Sequence, residues 1–122
     1  MRWTVGIVDD DAGLLRALQR LLRTAGFSVE AFESAEALLA SDTLPRIHCL
    51  VIDIHLGGMS GFDLQERLAE GGSTIPIIFI TALDDAPTQE RARKAGAGYL
   101  RKPFDEPALL ETIGRALGAA IA

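Results

Sequence analysis

The feature that most constrains this chain is a change of hydrophobic period that repeats along its length. Short apolar runs occur at Thr4–Val8, Phe27–Ala31, Cys49–Ile52, Ile75–Ile80 and Gly98–Leu100. The third and fourth are almost continuously apolar, as strands covered on both faces are. Stretches with helical spacing separate them. Leu14, Leu18, Leu21, Leu22 and Ala25 recur at three- and four-residue steps and stop at Gly26, a residue suited to the left-handed position past a helix end. Ser34 is placed to cap a short helix holding Leu38 and Leu39, and Ser60 with Asp63 has the capping-box pattern before Leu64 and Leu68. Gly71-Gly72 ends that helix, Pro87 suits the first turn of another that runs to Gly96, and Asp105, Glu106 and Pro107 open the last. Its inner face carries Leu110, Ile113 and Leu117. Gly114 within it costs about 1 kcal/mol relative to alanine, so its C-terminal end is expected to fray.

Such βα units with short loops force parallel strands, right-handed crossovers and helices on both sheet faces. The expected fold is α/β, a doubly wound (βα)5 domain over residues 1–122 with no internal linker or repeat. The length of 122 residues fits one domain, and 48% apolar with 24% charged residues is a globular balance. A domain of this size buries roughly two thirds of its unfolded surface and needs no disulfide. The one cysteine, Cys49, could form none within the chain and reads as a small buried apolar residue. His48 and Trp3 also read as structural. Twelve basic against 17 acidic residues give a net charge of −5, which opposes nonspecific attraction to nucleic acid or to an anionic membrane. No apolar run approaches the roughly 18 residues of a spanning helix, and the stretch after Met1-Arg2-Trp3-Thr4 is too short for a signal-peptide core. A cytoplasmic location is expected, with neither nucleic acid nor membrane as a direct partner.

Ligands of open α/β sheets bind beyond the carboxyl ends of the strands, where strand order reverses. After the first strand come Asp9, Asp10 and Asp11; the third ends in Asp53, the fourth in Thr81 and the fifth in Lys102. The second strand ends in no comparable group, as an edge strand would. Taken alone, the three aspartates read as a helix-capping turn, Thr81 as the start of a turn, and Lys102 as a solvated lysine. Asp53 is harder to dismiss, because a carboxylate ending a buried strand must pair or work. With the first and third strands adjacent, Asp9, Asp10 and Asp53 converge. Two like charges 5 Å apart repel by about 3 kcal/mol at an effective dielectric of 20. Such a cluster wants a hard divalent cation, Mg²⁺ or Mn²⁺. Hydroxyl and ammonium donors beside it make a site for a phosphoryl group.

With these residues in place, the chain resembles the receiver domain of bacterial two-component response regulators over essentially its full length. The matching motifs are Val8-Asp9-Asp10, Ile52-Asp53, Met59-Ser60-Gly61, Ile80-Thr81-Ala82, Lys94-Ala95-Gly96-Ala97 and Lys102-Pro103-Phe104. Met59-Ser60-Gly61, Asp85-Ala86-Pro87 and Lys102-Pro103-Phe104 are most similar to the nitrogen-fixation type, whose members usually carry a C-terminal helix-turn-helix. The resemblance implies a flavodoxin-like strand order 2-1-3-4-5. It implies that Asp53 takes a phosphoryl group from a histidine kinase as an acyl phosphate. Asp10, Asp53 and the backbone carbonyl of His55 would ligate Mg²⁺ directly, with Asp9 acting through water. Lys102, Thr81 and Ala82 would surround the phosphoryl oxygens, and Lys102-Pro103 would be a cis peptide. As Thr81 turns toward the phosphoryl group, Tyr99 would swing inward and repack a face made of roughly Pro87–Ala95, Gly98–Arg101 and Asp105–Leu117. The implied recipients are a C-terminal effector domain or a downstream protein, in transcription control, with a phosphorylation-dependent homodimer through the same face. Such a domain is a phosphoacceptor with only self-phosphorylation and dephosphorylation chemistry. No output domain follows the fifth helix here, so a stand-alone regulator and a receiver separated from its effector are both open.

Three departures from the family pattern matter. Gly57 stands where many relatives have proline, with Gly58 next, so a more mobile loop after Asp53 and a less well placed His55 carbonyl are expected. His55 reads first as an exposed loop residue and second as a pH-sensitive neighbour of the phosphoryl group. Leu83, two residues past Thr81, is expected to shield the acyl phosphate from water. On the first helix Arg16, Arg20 and Arg23 form a basic stripe, an ordinary solvated face or a docking strip for a kinase.

Competing classes fit less well. A dehalogenase-type phosphatase wants Asp-x-Asp, whereas Asp53-Ile54-His55 lacks the second acid, and there is no room for a cap. In a flavin carrier the acidic first loop would repel the cofactor phosphate. The remaining alternative is a receiver-like interaction module that works without phosphorylation.

Overall fold

Capping chemistry decides where each helix of this protein starts, and the starts fix the strand ends between them. In the computed structural model, residues 2–82, 85–96 and 98–121 are described, with side chains as far as 118. The elements follow the order β1 (Thr4–Val8), α1 (Ala12–Thr24), β2 (Ser28–Phe32), α2 (Ala35–Ala40), a 3₁₀ turn (Leu44–Arg46), β3 (Cys49–Asp53), α3 (Gly61–Glu70), β4 (Ile77–Thr81), α4 (Ala86–Ala95), β5 (Gly98–Arg101) and α5 (Glu106–Ile121). Asp11 caps α1 by accepting from the N–H groups of Gly13 and Leu14 at 3.0 and 3.1 Å. Ser34 caps α2 through Ala37 N–H. Ser60 and Asp63 close a reciprocal capping box on α3. Asp85 accepts from Thr88 N–H at 2.8 Å, with Pro87 in the first turn of α4.

The strands form one parallel sheet in the order β2-β1-β3-β4-β5. The adjacent pairs Val8↔Ile52 and Asp53↔Ile80 bring the carboxyl ends of β1, β3 and β4 to one edge. The flavodoxin-like order expected from the resemblance is the one found. Each sheet face carries its own apolar layer. On one, Val5, Ile7, Val51, Ile78 and Ile80 pack with Leu15, Leu18 and Leu22 of α1 and Leu109, Ile113 and Leu117 of α5. On the other, Val8, Leu50, Ile52 and Phe79 pack with Leu38, Phe62, Leu64 and Leu68. Strands buried on both sides explain why Cys49–Asp53 and Ile77–Thr81 are buried throughout.

Several sequence expectations shift by a residue. The seam of α1 is Leu15, Leu18 and Leu22, with Leu14 and Leu21 at its margins and Ala25 exposed. Leu39 is 37% exposed while Leu38 is fully buried. On α5 the inner face is Leu109, Ile113, Ala116 and Leu117, with Leu110 beside it. β2 starts and ends one residue later than its apolar run, because pairing of Thr4 with Ser28 and of Val8 with Phe32 sets its register. The last helix runs past Gly114 to Ile121. Among the described residues no helix is long and apolar enough to cross a membrane.

The structural readings of three residues hold. Cys49 is fully buried, and burial pushes its thiol up to about 12. His48 Nδ1 accepts the Thr4 N–H at 3.0 Å, and its ring meets Trp3 edge-on at 5.0 Å.

One close approach ties α3 to the strand before it. A Cβ on Gly61 would lie 2.5 Å from the Asp53 carbonyl oxygen and 2.8 Å from Ile54 Cα. Gly61 N–H also donates to Ile54 O at 2.9 Å. Backbone on both sides leaves no yielding partner, so Gly61→Ala is expected to destabilise the fold by about 1–3 kcal/mol in urea denaturation. An unchanged midpoint would contradict this packing.

Candidate functional site

The acidic run after β1 divides its labour. Asp11 is spent on capping α1, which is the bland reading of the run, and this leaves Asp9 and Asp10 available. Asp9 is fully buried, Asp53 is 5% exposed, and Asp10 is exposed at the rim. One carboxylate oxygen from each of the three lies within 4.8 Å of the others. A set made only of oxygen donors, with a rim left open to water, fits a hard divalent cation such as Mg²⁺. A soft-ligand zinc site would draw on Cys or His, and Cys49 is buried within the core.

Lys102 holds the two buried carboxylates together. Its Nζ donates to Asp9 Oδ2 and to Asp53 Oδ2, each at 2.9 Å. The other oxygen of each carboxylate accepts a nearby loop N–H. Asp9 Oδ1 takes that of Asp11 at 2.9 Å, and Asp53 Oδ1 that of His55 at 3.0 Å. Asp9 and Asp53 therefore have the same ligation, one charge-assisted bond and one loop amide each. No buried side-chain polar atom among the described residues lacks a partner.

The remaining residues stand around this pair. Thr81, fully buried, ends β4, and its carbonyl accepts the Lys102 N–H at 2.7 Å. Ala82 follows it, exposed, and helps line a mostly apolar hollow of about 400 Å³ with Leu14, Lys102, Pro103 and Phe104. This hollow was not legible in the sequence, where Leu14 reads as core. The Lys102–Pro103 peptide is cis. Tyr99 is half-buried on β5, in register with Phe79. His55 is exposed, as its bland reading has it. The left-handed backbone in its loop falls on Gly58, with φ of 82°. Leu83 lies outside the described residues. Arg16, Arg20 and Arg23 are all exposed on α1.

Burial pushes the Asp9 carboxyl above its ordinary 3.8; the Lys102 and Asp11 hydrogen bonds offset this in part, and the Asp53 charge adds to the rise. Burial also works against the Lys102 ammonium, but its hydrogen bonds to Asp9 and Asp53 and their charges outweigh it and hold its pKa above 10.5. A raised folded value means a contribution to stability that is complete below the unfolded pKa and lost as pH rises through the folded one. For Asp9 the loss begins above 3.8, and for Lys102 above 10.5. Asp9→Asn is therefore expected to exceed the parent in stability at pH 7 without divalent cation. The advantage should shrink as pH falls toward 3.8, as read by urea denaturation at both pH values. A pH-independent difference would contradict the burial argument.

Comparison with known proteins points the same way. The response regulator receiver domain family matches residues 5–114. Response regulator protein TodT of Pseudomonas putida is 44% identical over 115 residues, which is 93% of this chain and 51% of that protein. Transcriptional regulatory protein FixJ of Rhizobium meliloti is 39% identical over 115 residues, 93% of this chain and 56% of that protein. The chain thus spans about half the length of these curated relatives. Among solved structures, response regulator StyR superposes with a TM-score of 0.89 at 46% identity, over 99% of this chain and 62% of that one. The structure titled FixJ-N gives 0.86 at 36% identity, over 97% of this chain and 95% of that one.

Proposed function

Because the chain belongs to the response regulator receiver domain family, we propose that it is a phosphorylation-dependent switch with Asp53 as acceptor. The observation that carries this reading is the Lys102 ammonium bridging buried Asp9 and Asp53 at 2.9 Å beside exposed Asp10. A carboxylate bonded to an ammonium at an open sheet edge, with a metal-ligating set against it, is an oxygen nucleophile whose product is stabilised in place. An Asp53 oxygen attacks the phosphorus of a kinase phosphohistidine; the P–N bond breaks as the P–O bond forms, and the imidazole leaves. Asp10, Asp53 and the His55 carbonyl would hold a Mg²⁺ or Mn²⁺, with Asp9 acting through water, and the ion would supply charge neutralisation at the phosphoryl oxygens. Lys102 then turns from the Asp53 carboxylate to the phosphoryl oxygens, and Thr81 and Ala82 contact them from the end of β4. Tyr99 moves inward behind Thr81, and α4, β5 and α5 present the altered surface.

We read residues 1–122 as one receiver domain acting in the cytoplasm. Its donor is a histidine kinase, and the apolar hollow at Leu14, Pro103 and Phe104 offers that donor a surface beside the acceptor. The recipient is a C-terminal effector domain or a separate protein, in transcription control as the name of FixJ has it for that relative. A phosphorylated homodimer through α4 and β5 is part of the same reading.

The test is incubation with acetyl phosphate and Mg²⁺, with and without chelator, beside Asp53→Asn, read by intact mass. The expected result is a Mg²⁺-dependent gain of one phosphoryl group that the variant lacks. No gain from acetyl phosphate or from any kinase offered would favour the module that signals by binding alone. Gain by Asp53→Asn would move the acceptor elsewhere.

A further inference from the structure

Helix α4 has little apolar surface with which to hold its place. Among the described residues it buries only Ala92, whereas α3 buries Gly61, Phe62, Leu64 and Leu68. Its C-terminal end is fixed by Gly96, where a Cβ would lie 2.8 Å from both Ile77 O and Phe79 Cδ2. The stretch before that end makes a further contact with α3. Arg91 donates from one guanidinium nitrogen to Glu66 Oε1 of α3 at 3.1 Å. The same guanidinium lies over the Phe62 ring, with Cζ 4.3 Å from its centroid. Each is a weak interaction on an exposed surface. Together they stand where a buried seam would otherwise be.

Phe62 is not an arbitrary ring. It packs on Phe79 of β4 at 5.0 Å and directly follows Gly61, whose backbone is wedged against the Asp53 carbonyl. Contact thus runs from the backbone at Asp53 through Gly61 to Phe62, and Arg91 sits on that ring.

We propose that Arg91 is a latch that fastens α4 to α3 in the resting protein, and that Gly61 and Phe62 couple this latch to the loop carrying Asp53. The inference rests on the phosphoryl-acceptor reading above and adds a route to α4 that does not pass through Thr81 and Tyr99. Arg91 is a positioning residue, since it touches none of the reacting groups. Arginine suits the task because its plane stacks on the ring while its edge meets the carboxylate; a lysine ammonium cannot do both. The latch belongs to the resting arrangement, so releasing it favours the switched one. Linkage then requires any ligand of the switched arrangement to bind more tightly by a corresponding factor.

The experiment compares the parent with Arg91→Met, Arg91→Lys and Glu66→Gln, all changes at exposed side chains. Amide hydrogen exchange of residues 86–95 reads the latch, and titration with beryllium fluoride plus Mg²⁺ reads the coupling. Arg91→Met should speed exchange in α4 by about tenfold, the two weak contacts combined. Arg91→Lys and Glu66→Gln should fall between. The beryllium fluoride Kd of Arg91→Met should drop by about two- to tenfold. Unchanged exchange in Arg91→Met overturns the latch. Faster exchange with an unchanged Kd overturns the coupling and leaves Arg91 merely structural. If the parent itself binds no beryllium fluoride, the phosphoryl reading fails and the coupling with it, while exchange still decides the latch.

Discussion

Two buried carboxylates facing each other need a cation, and the fold brings one from the far edge of the sheet. Asp9 and Asp53 end neighbouring strands, but Lys102 follows β5, which is separated from β3 by β4. Its chain must cross the end of β4 to reach them. The Lys102 N–H anchored on the Thr81 carbonyl starts that crossing, and the lysine stem completes it. The position therefore asks for a long flexible cation and for a strand β4 that ends without a bulky residue in the way.

The rest of the molecule is unequal in how firmly it is held. On the face of α1 and α5, leucines and isoleucines interlock with four strands, and such packing yields only in discrete steps. On the other face α3 is tied to β3 by backbone contact at Gly61, while α4 fully buries only Ala92 among the described residues, with Ala95 packed beside it, a glycine end and the Arg91 contact. Elements that move are drawn from the weakly held part of a structure. The asymmetry puts that part next to β5, on the side where Tyr99 lies, and leaves β3 buried throughout.

The elements were legible because strand and helix periods differ and because caps are local chemistry. Ser60 and Asp63 cap one another across three residues, whatever the rest of the chain does. What slipped was the facing of helices. Leu14 and Leu15, like Leu109 and Leu110, are adjacent leucines, and spacing alone does not say which of a pair meets the sheet. In the loop after Asp53, too, spacing does not choose between two consecutive glycines; the chain path selects Gly58 for the left-handed turn.

The sequence by itself determined the kind of fold and the chemistry available at its carboxyl edge. Continuous apolar strands alternating with amphipathic helices leave few alternatives to a parallel sheet, and such a sheet sets Asp9, Asp53, Thr81 and Lys102 at the carboxyl ends of its strands. Only the tertiary structure decided how these groups are used. It gave Asp11 to the helix and left Asp10 at the rim. It joined Asp9 and Asp53 through one ammonium and set Arg91 on Phe62 from 29 residues away in sequence. Those outcomes depend on distances between strands and helices remote in the chain, and local patterns carry no information about such distances.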